Sequence, residues 1–318
     1  MTEKHVTEPA GTPPAGPGPA KTDAAGAVPP EAIKAVPLRH PWRWVSAVVV
    51  LGLLALLGTA FANAAIEWGD IPEYLFSARF AEAGLNTLEI TILSFAIGLV
   101  LGVLLAVMKL SKNPVISLFA NGYIWLFRGT PVLLQLLIWY NLALIFQVIN
   151  LGPIYKNEMT EFMTPFVASL LGLGLNQAAY MAEVVRAGIQ SVDEGQTEAA
   201  QALGLSSSRT MRRIVLPQAM RVIIPPTGNQ FIDLLKTSSL ASVITYTELT
   251  QISKTISSSQ LNVIEMYFVA AVWYLFFTSI FSIGQFYIER HYAKGSVRNL
   301  PPTPWQKIRA SMTGRAAG

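Results

Sequence analysis

Of 318 residues, 52% are hydrophobic and only 13% charged, and the mean hydropathy is +0.43. Soluble domains carry about a quarter charged residues, so the composition excludes an ordinary soluble globule and indicates an all-α polytopic membrane protein. There is no cysteine, which removes disulfides and thiolate metal sites, and His5, His40 and His291 fall outside the apolar runs, so no metal centre is expected. The net charge of +4 is spread over loops, where it reports membrane orientation rather than affinity for nucleic acid.

Residues 1–40 are rich in Pro, Ala, Gly and Thr and poor in large apolar side chains, which predicts a disordered tail. The apolar run that follows begins too late for a secretory signal. It covers residues 44–65 within a first membrane segment at 41–66, and its length suffices for a bilayer core that needs about 20 residues. Arg39 and Arg43 precede it and Glu67, Asp70 and Glu73 follow, an asymmetry that puts the N-terminus in the cytoplasm. A second span is predicted over 88–108, ending at Lys109 and Lys112.

Residues 114–127 are too few to cross. They read as an interfacial elbow, joined through Arg128-Gly129-Thr130-Pro131 to a third span over 132–149. A fourth span covers 164–188, a fifth 217–236 and a sixth 264–288, with 239–263 external and a C-terminal tail at 291–318. Six spans result, with both termini cytoplasmic and the arginines of residues 209–213 on the inner side. No inverted repeat relates the two halves, which speaks against a free-standing secondary carrier.

Between the fourth and fifth spans lies a polar loop at 191–217 with helix signals of its own. Ser191-Val192-Asp193-Glu194 reads as a capping box, with Ser191 as the cap and Glu194 reaching back to it. The Ala-rich stretch Glu198-Ala199-Ala200-Gln201-Ala202-Leu203 favours helix, and Gly204 suits a left-handed residue just past its end. A second short segment over 206–216 sets Met211 and Ile214 against Arg209, Arg212 and Arg213. Such a loop reads as a docking element.

Polar groups inside spans mark pathways by default. Pro225-Pro226-Thr227-Gly228 is expected to interrupt the fifth span near the bilayer middle, because each proline removes a backbone donor. Asn229, Gln230, Asp233 and Lys236 follow, with Asp233 and Lys236 spaced to pair as a buried acid and base. Thr130 and Gln135 at the other break offer neutral hydrogen-bonding groups. These breaks together could serve a zwitterion, which needs donors for its carboxylate and acceptors for its ammonium. Glu183 and Arg186, three apart, read as a structural pair. Trp42, Trp44, Trp68 and Trp305 read as interface anchors.

Glu198-Ala199-Ala200, three residues, Gly204, nine residues, Ile214, Val215 and Leu216-Pro217 resembles the signature loop of ABC-importer transmembrane subunits. Phe127-Arg128-Gly129-Thr130-Pro131, the run from Asn176 to Glu183 with Arg186-Ala187-Gly188, Pro217-Gln218-Ala219 and Lys236-Thr237-Ser238-Ser239-Leu240 are similar to the polar amino-acid branch of that family. The resemblance covers residues 84–290. It implies a type I importer fold of five core helices, here with one extra N-terminal helix, in a bacterial inner membrane. It also implies an identical or sister permease, two ATPase subunits and an extracytoplasmic amino-acid-binding protein. By that resemblance Glu194, Glu198, Ala199, Ala200, Gly204, Leu216 and Pro217 contact the ATPase, while Thr130, Gln135, Asn229 and Gln230 lie along the substrate path. No Gly-x-x-x-x-Gly-Lys-Ser/Thr occurs, so ATP and Mg2+ are expected on the partner and no cofactor on this chain. Neither His-Glu-x-x-His nor Gly-x-Ser-x-Gly is present, which leaves no motif for an intramembrane enzyme.

Overall fold

The structure, a computed structural model, describes residues 41–150 and 156–292. The expected tail over 1–40, most of that over 291–318, and Trp305 lie outside the described residues. Compact packing divides the chain between Ala64 and Ala65. The first unit contains one described helix, α1 (Pro41–Ala62). Its side chains are apolar all round and exposed, the surface expected of a helix that meets lipid rather than protein.

The second unit begins with α2 (Asp70–Leu75) and the 32-residue α3 (Ala78–Lys109). The Ser77 hydroxyl accepts from Phe80 N at 3.4 Å and so caps α3. α4 (Pro114–Gly129) starts behind Asn113, whose Oδ1 accepts from Val115 N at 3.0 Å. Thr130 and Pro131 are extended and separate α4 from α5 (Val132–Tyr140). Proline forces this, since its ring disfavours helical backbone in the residue before it.

α4 packs its buried Ala120 and Ile124 on Leu105, Ala178 and Ala182 of the bundle. The next segment differs from expectation. No helix fills 132–149, because α5 stops at Tyr140. Asn141 turns its side-chain amide back onto Leu137 O at 2.8 Å, ending the helix, and a short turn at Leu142–Leu144 follows. Nine residues of helix reach only about 14 Å, so α5 crosses nothing alone, and α4 and α5 act as one bent element. Two short strands, β1 (Val148–Asn150) and β2 (Lys156–Glu158), then pair antiparallel with Ile149 opposite Asn157.

α6 (Met159–Phe162) leads to α7 (Pro165–Gln190), which Thr164 caps through Val167 N. α3 and α7 pack closely. A Cβ on Gly102 would sit 2.5 Å from Met181 Cβ and 3.0 Å from Ala178 O, so only glycine allows the approach. α8 (Glu194–Ala202), α9 (Ser207–Thr210) and one π-helical turn (Met211–Val215) form the polar loop, and α10 (Leu216–Thr237) follows.

α10 also corrects an expectation: it runs unbroken through Pro225 and Pro226. By the i to i−4 rule these prolines deprive two carbonyls of donors. The helix nonetheless continues, with side-chain hydrogen bonds to two neighbouring carbonyls. Gln285 Nε2 donates to Pro225 O at 3.2 Å, and Thr227 Oγ1 donates to Ile223 O at 2.7 Å.

A 3-10 stretch (Ser238–Ile244), α11 (Leu249–Gln260) and α12 (Val263–Tyr292) complete the bundle. The fully buried Glu248 caps α11 through Thr250 N and Gln251 N, each at 2.8 Å, and accepts from the Tyr274 hydroxyl at 2.6 Å. Phe80, Leu235, Leu249, Met266 and Phe277 close one core, and Ile90, Leu136, Leu173, Leu234 and Ile244 another. Among the described residues, α1, α3 and α12 are long and apolar enough to cross a membrane. α7 and α10 reach about 39 Å and 33 Å at 1.5 Å per residue. They match the bilayer in length, and the polar side chains along them build the site described next.

Candidate functional site

A cavity of about 530 Å³ opens where the α4–α5 break faces the middle of α7 and the C-terminal part of α10. The break contributes Arg128 and Thr130, α7 contributes Asn176, Gln177 and Tyr180, and α10 contributes Gln230, Asp233 and Thr237. The Arg128 guanidinium carbon stands 5.2 Å from the Tyr180 ring centroid, which holds the cation at the rim. Gln177 Nε2 donates to Gln230 Oε1 at 3.4 Å and links α7 to α10.

Gln135 lies beneath the cavity, 6% exposed, with its hydrogen-bonding capacity committed. Its Nε2 donates to Thr130 Oγ1 at 2.8 Å, to Thr130 O at 3.1 Å and to Phe127 O at 3.0 Å, while its Oε1 accepts from Asn176 Nδ2 at 3.2 Å. The side chain pins the break from behind. Thr130 Oγ1 also donates to Leu126 O at 2.8 Å, so its hydroxyl is occupied as well.

Asp233 and Lys236 pair at 2.9 Å as their spacing suggested, but they are not buried. Their side chains are 62% and 56% exposed, and of the two only Asp233 lines the cavity. Asn229 is exposed and is not among the cavity's lining residues, although Gln230 is. Asn176, Gln177 and Tyr180 were not singled out as site residues beforehand. Their spacing of one and four residues puts them on one face of α7, and that polar stripe was the available signal.

Glu183 and Arg186 do pair, Nη2 to Oε2 at 2.7 Å, and Lys109 joins them at 2.5 Å from across the α3–α7 contact. Arg186 also bonds Gln190.

In the polar loop the expected capping box is absent. Asp193 is the cap, accepting from Gly195 N at 2.8 Å, while Ser191 closes α7 by donating its hydroxyl to Gly188 O at 2.8 Å. Asp193 lies directly before the helix and reaches its first turn, which Ser191, two residues earlier, does not. Glu194 instead opens α8. Gly204 has φ +77 as anticipated. Leu205 N donates to Ala200 O at 3.0 Å and Gly204 N to Gln201 O at 2.9 Å, the paired closure of a Schellman stop. Ala200 is buried, whereas Glu194, Glu198, Ala199, Leu216 and Pro217 are exposed, as is the apolar Leu203 at 82%. The loop therefore shows a small, partly apolar outer face with a fixed helix end.

Membrane-length helices, a polar cavity among them and a capped polar loop are the architecture of a membrane protein that offers a polar path through its bundle. The chain belongs to the family described as binding-protein-dependent transport system inner membrane component, whose model matches residues 98–294. It is 50% identical to the arginine transport system permease protein ArgU of Corynebacterium glutamicum over 273 residues, 85% of this chain and 86% of that protein. It is 41% identical to the nopaline transport system permease protein NocM of Agrobacterium fabrum over 198 residues, 62% of this chain and 80% of that protein. Among solved structures, an amino acid ABC transporter with histidines is 36% identical with a TM-score of 0.63, covering 72% of this chain and all of that one. The MetNI methionine ABC transporter, at 17% identity and a TM-score of 0.55 over 67% of this chain and 95% of that one, shares the fold. The chain is thus a multi-pass inner-membrane permease subunit with the type I importer fold. ATPase partners and a binding protein belong to the family's general arrangement.

Proposed function

We propose that the chain forms part of the translocation path for a polar amino acid, which rests in the cavity between Arg128 and Asp233. The observation that carries this reading is the pairing of opposite charges with three amides in one 530 Å³ space. A cation and amide donors suit a carboxylate, and a carboxylate with amide acceptors suits an ammonium. Relatives named for arginine, nopaline and glutamine support an amino-acid cargo. Gln135 and Thr130 hold the shape of the cavity, and Gln177 and Gln230 face the ligand. Asn229 is left for a neighbouring subunit.

In this reading two such permeases, identical or sister, face each other, and two ATPase subunits carry ATP and Mg2+. The loop at 191–217 seats on an ATPase through Glu194, Glu198, Ala199, Leu203, Leu216 and Pro217, with Ala200 and Gly204 fixing its shape. Both termini lie on the cytoplasmic side, and six spans are completed by α1 and by α4 with α5 as one bent crossing. The chain itself performs no hydrolysis and binds no cofactor. The test is ATP-driven uptake in proteoliposomes containing permease, ATPase and binding protein. Asp233→Asn and Arg128→Gln should each lower uptake at least tenfold with the complex intact. Unchanged uptake in both variants moves the site elsewhere.

A further inference from the structure

A second cavity, of about 450 Å³, lies at the end of α7 opposite the polar loop. Asn86 and Glu89 of α3, Thr164 and Phe166 at the start of α7, and Tyr246 and Thr247 before α11 line it. Its volume falls within the roughly 300–1,000 Å³ typical of small-ligand pockets. Most of its neutral polar groups are used up in holding the walls together. Asn86 Nδ2 donates to Thr247 O at 2.9 Å, Asn86 O accepts from the Tyr246 hydroxyl at 3.2 Å, and Thr164 Oγ1 accepts from Val167 N at 3.3 Å.

Glu89 differs. Its exposed carboxylate has no hydrogen bond or ion pair among the described residues, and no Lys, Arg or His lines the cavity. Burial, with the Glu89 and Glu248 carboxylates adding to it, pushes the Tyr246 hydroxyl up to about 12. Thr245 at the edge adopts φ +62, a left-handed conformation that costs a β-branched residue and is kept where the surrounding structure imposes it.

The cavity is in line with the inner one. Phe166, Leu173 and Tyr180 recur every seven residues along α7, two turns or about 10 Å apart, and so share a face. Phe166 lines the outer cavity, Leu173 and Tyr180 the inner. Tyr246 of the outer cavity and Leu173 and Leu234 of the inner one belong to a single apolar core with Met159 and Met163, and Phe166 stands against the Tyr246 ring at 6.0 Å. That core borders both polar stations.

We propose that the outer cavity is a waiting site for the cationic side chain of an amino acid, a guanidinium or ammonium held by Glu89, before it passes to the Arg128–Asp233 cavity. This rests on the reading of the chain as an amino-acid permease. The experiment titrates L-arginine and its neutral isostere L-citrulline calorimetrically into the purified complete transporter, with wild-type, Glu89→Gln and Asp233→Asn permeases compared. A charge-assisted hydrogen bond predicts a preference for arginine of roughly tenfold in the wild type. That preference should fall to near unity at the outer site in Glu89→Gln and persist there in Asp233→Asn. An arginine preference that survives Glu89→Gln, or that is absent from the wild type, overturns the proposal. So does a Glu89→Gln complex that loses only its affinity for the binding protein, since the carboxylate then serves a protein partner. ATP-driven uptake of amino acids by the wild-type transporter is measured alongside. Its absence would sink the permease reading, whereas an unchanged binding ratio with uptake intact sinks only the outer site.

Discussion

The Lys109 ammonium at the last turn of α3 meets the Glu183 carboxylate of α7 at 2.5 Å, and Arg186 holds the other carboxylate oxygen at 2.7 Å. Eight residues beyond Glu183, α7 ends at Ser191 and the polar loop begins. The ion pairs therefore tie α3 to α7 close to the start of the polar loop. All three side chains are under a third exposed. Glu183→Gln should destabilise the protein by about 2 kcal/mol, between the exposed and the buried ion-pair cases. Thermal denaturation of the detergent-solubilised protein reads this directly. A double-mutant cycle with Lys109→Met should return a coupling energy well above zero, and additive effects would show that the contact carries no energy.

How far the sequence revealed this arrangement depends on the range of each interaction. The local signal at Gly204 worked: the residue is left-handed, because a turn is decided within a few residues. Even so, Asp193 replaced Ser191 as the cap of α8, a two-residue difference that backbone geometry settles and composition does not. Interactions between helices were hidden. Lys109 looked like the polar end of a span, yet its partner lies 74 residues away. Pro225 and Pro226 looked like a break, yet α10 runs through them, with Gln285 of α12 donating to the Pro225 carbonyl. The apolar run after Pro131 looked like a full span, since an apolar pattern alone does not reveal that Asn141 closes the helix. The candidate cavity was half legible: Thr130 and Gln230 stood out in the sequence, whereas the polar stripe of Asn176, Gln177 and Tyr180 took its meaning only when α7 was placed against them.

Gly102 tests the α3–α7 contact. An added Cβ there meets Met181 Cβ and the Ala178 carbonyl oxygen, and neither is a flexible side-chain end that can swing aside. Gly102→Val should cost about 1–3 kcal/mol or more through forced separation of the two helices. Lower melting temperature and reduced yield of assembled complex are the expected readings. Gly122→Val, whose Cβ would meet nothing within 4 Å, serves as the control and should be close to neutral.

At Gly204 the two costs can be separated. A Cβ there meets nothing within 4 Å inside the chain, so crowding contributes nothing, while φ +77 strains any L side chain. Gly204→Ala should therefore cost about 1 kcal/mol in local stability. Gly204→Asp adds a charge to the exposed face and should additionally uncouple ATP hydrolysis from uptake if that face seats on the ATPase. The measurement is the number of ATP molecules hydrolysed per substrate imported. Equal ratios for the two variants would leave only the backbone effect and remove the docking role.

Gln135 separates shaping the cavity from contacting the ligand. Its amide links Phe127, Thr130 and Asn176, so it stitches the α4–α5 break to α7 without facing the open space. Gln135→Leu keeps similar volume but leaves the Thr130 and Phe127 carbonyls and the Asn176 amide with fewer partners, at about 1–3 kcal/mol for a buried group left unsatisfied. The melting temperature should fall and uptake should weaken for every substrate by a similar factor. Gln230→Ala, by contrast, removes a group that reaches the cavity from α10 and makes one long contact to Gln177. It should leave stability nearly unchanged and alter the ranking of amino acids competing for uptake. Should Gln135→Leu reorder the substrates while Gln230→Ala does not, the assignment of support and contact within the cavity would have to be exchanged.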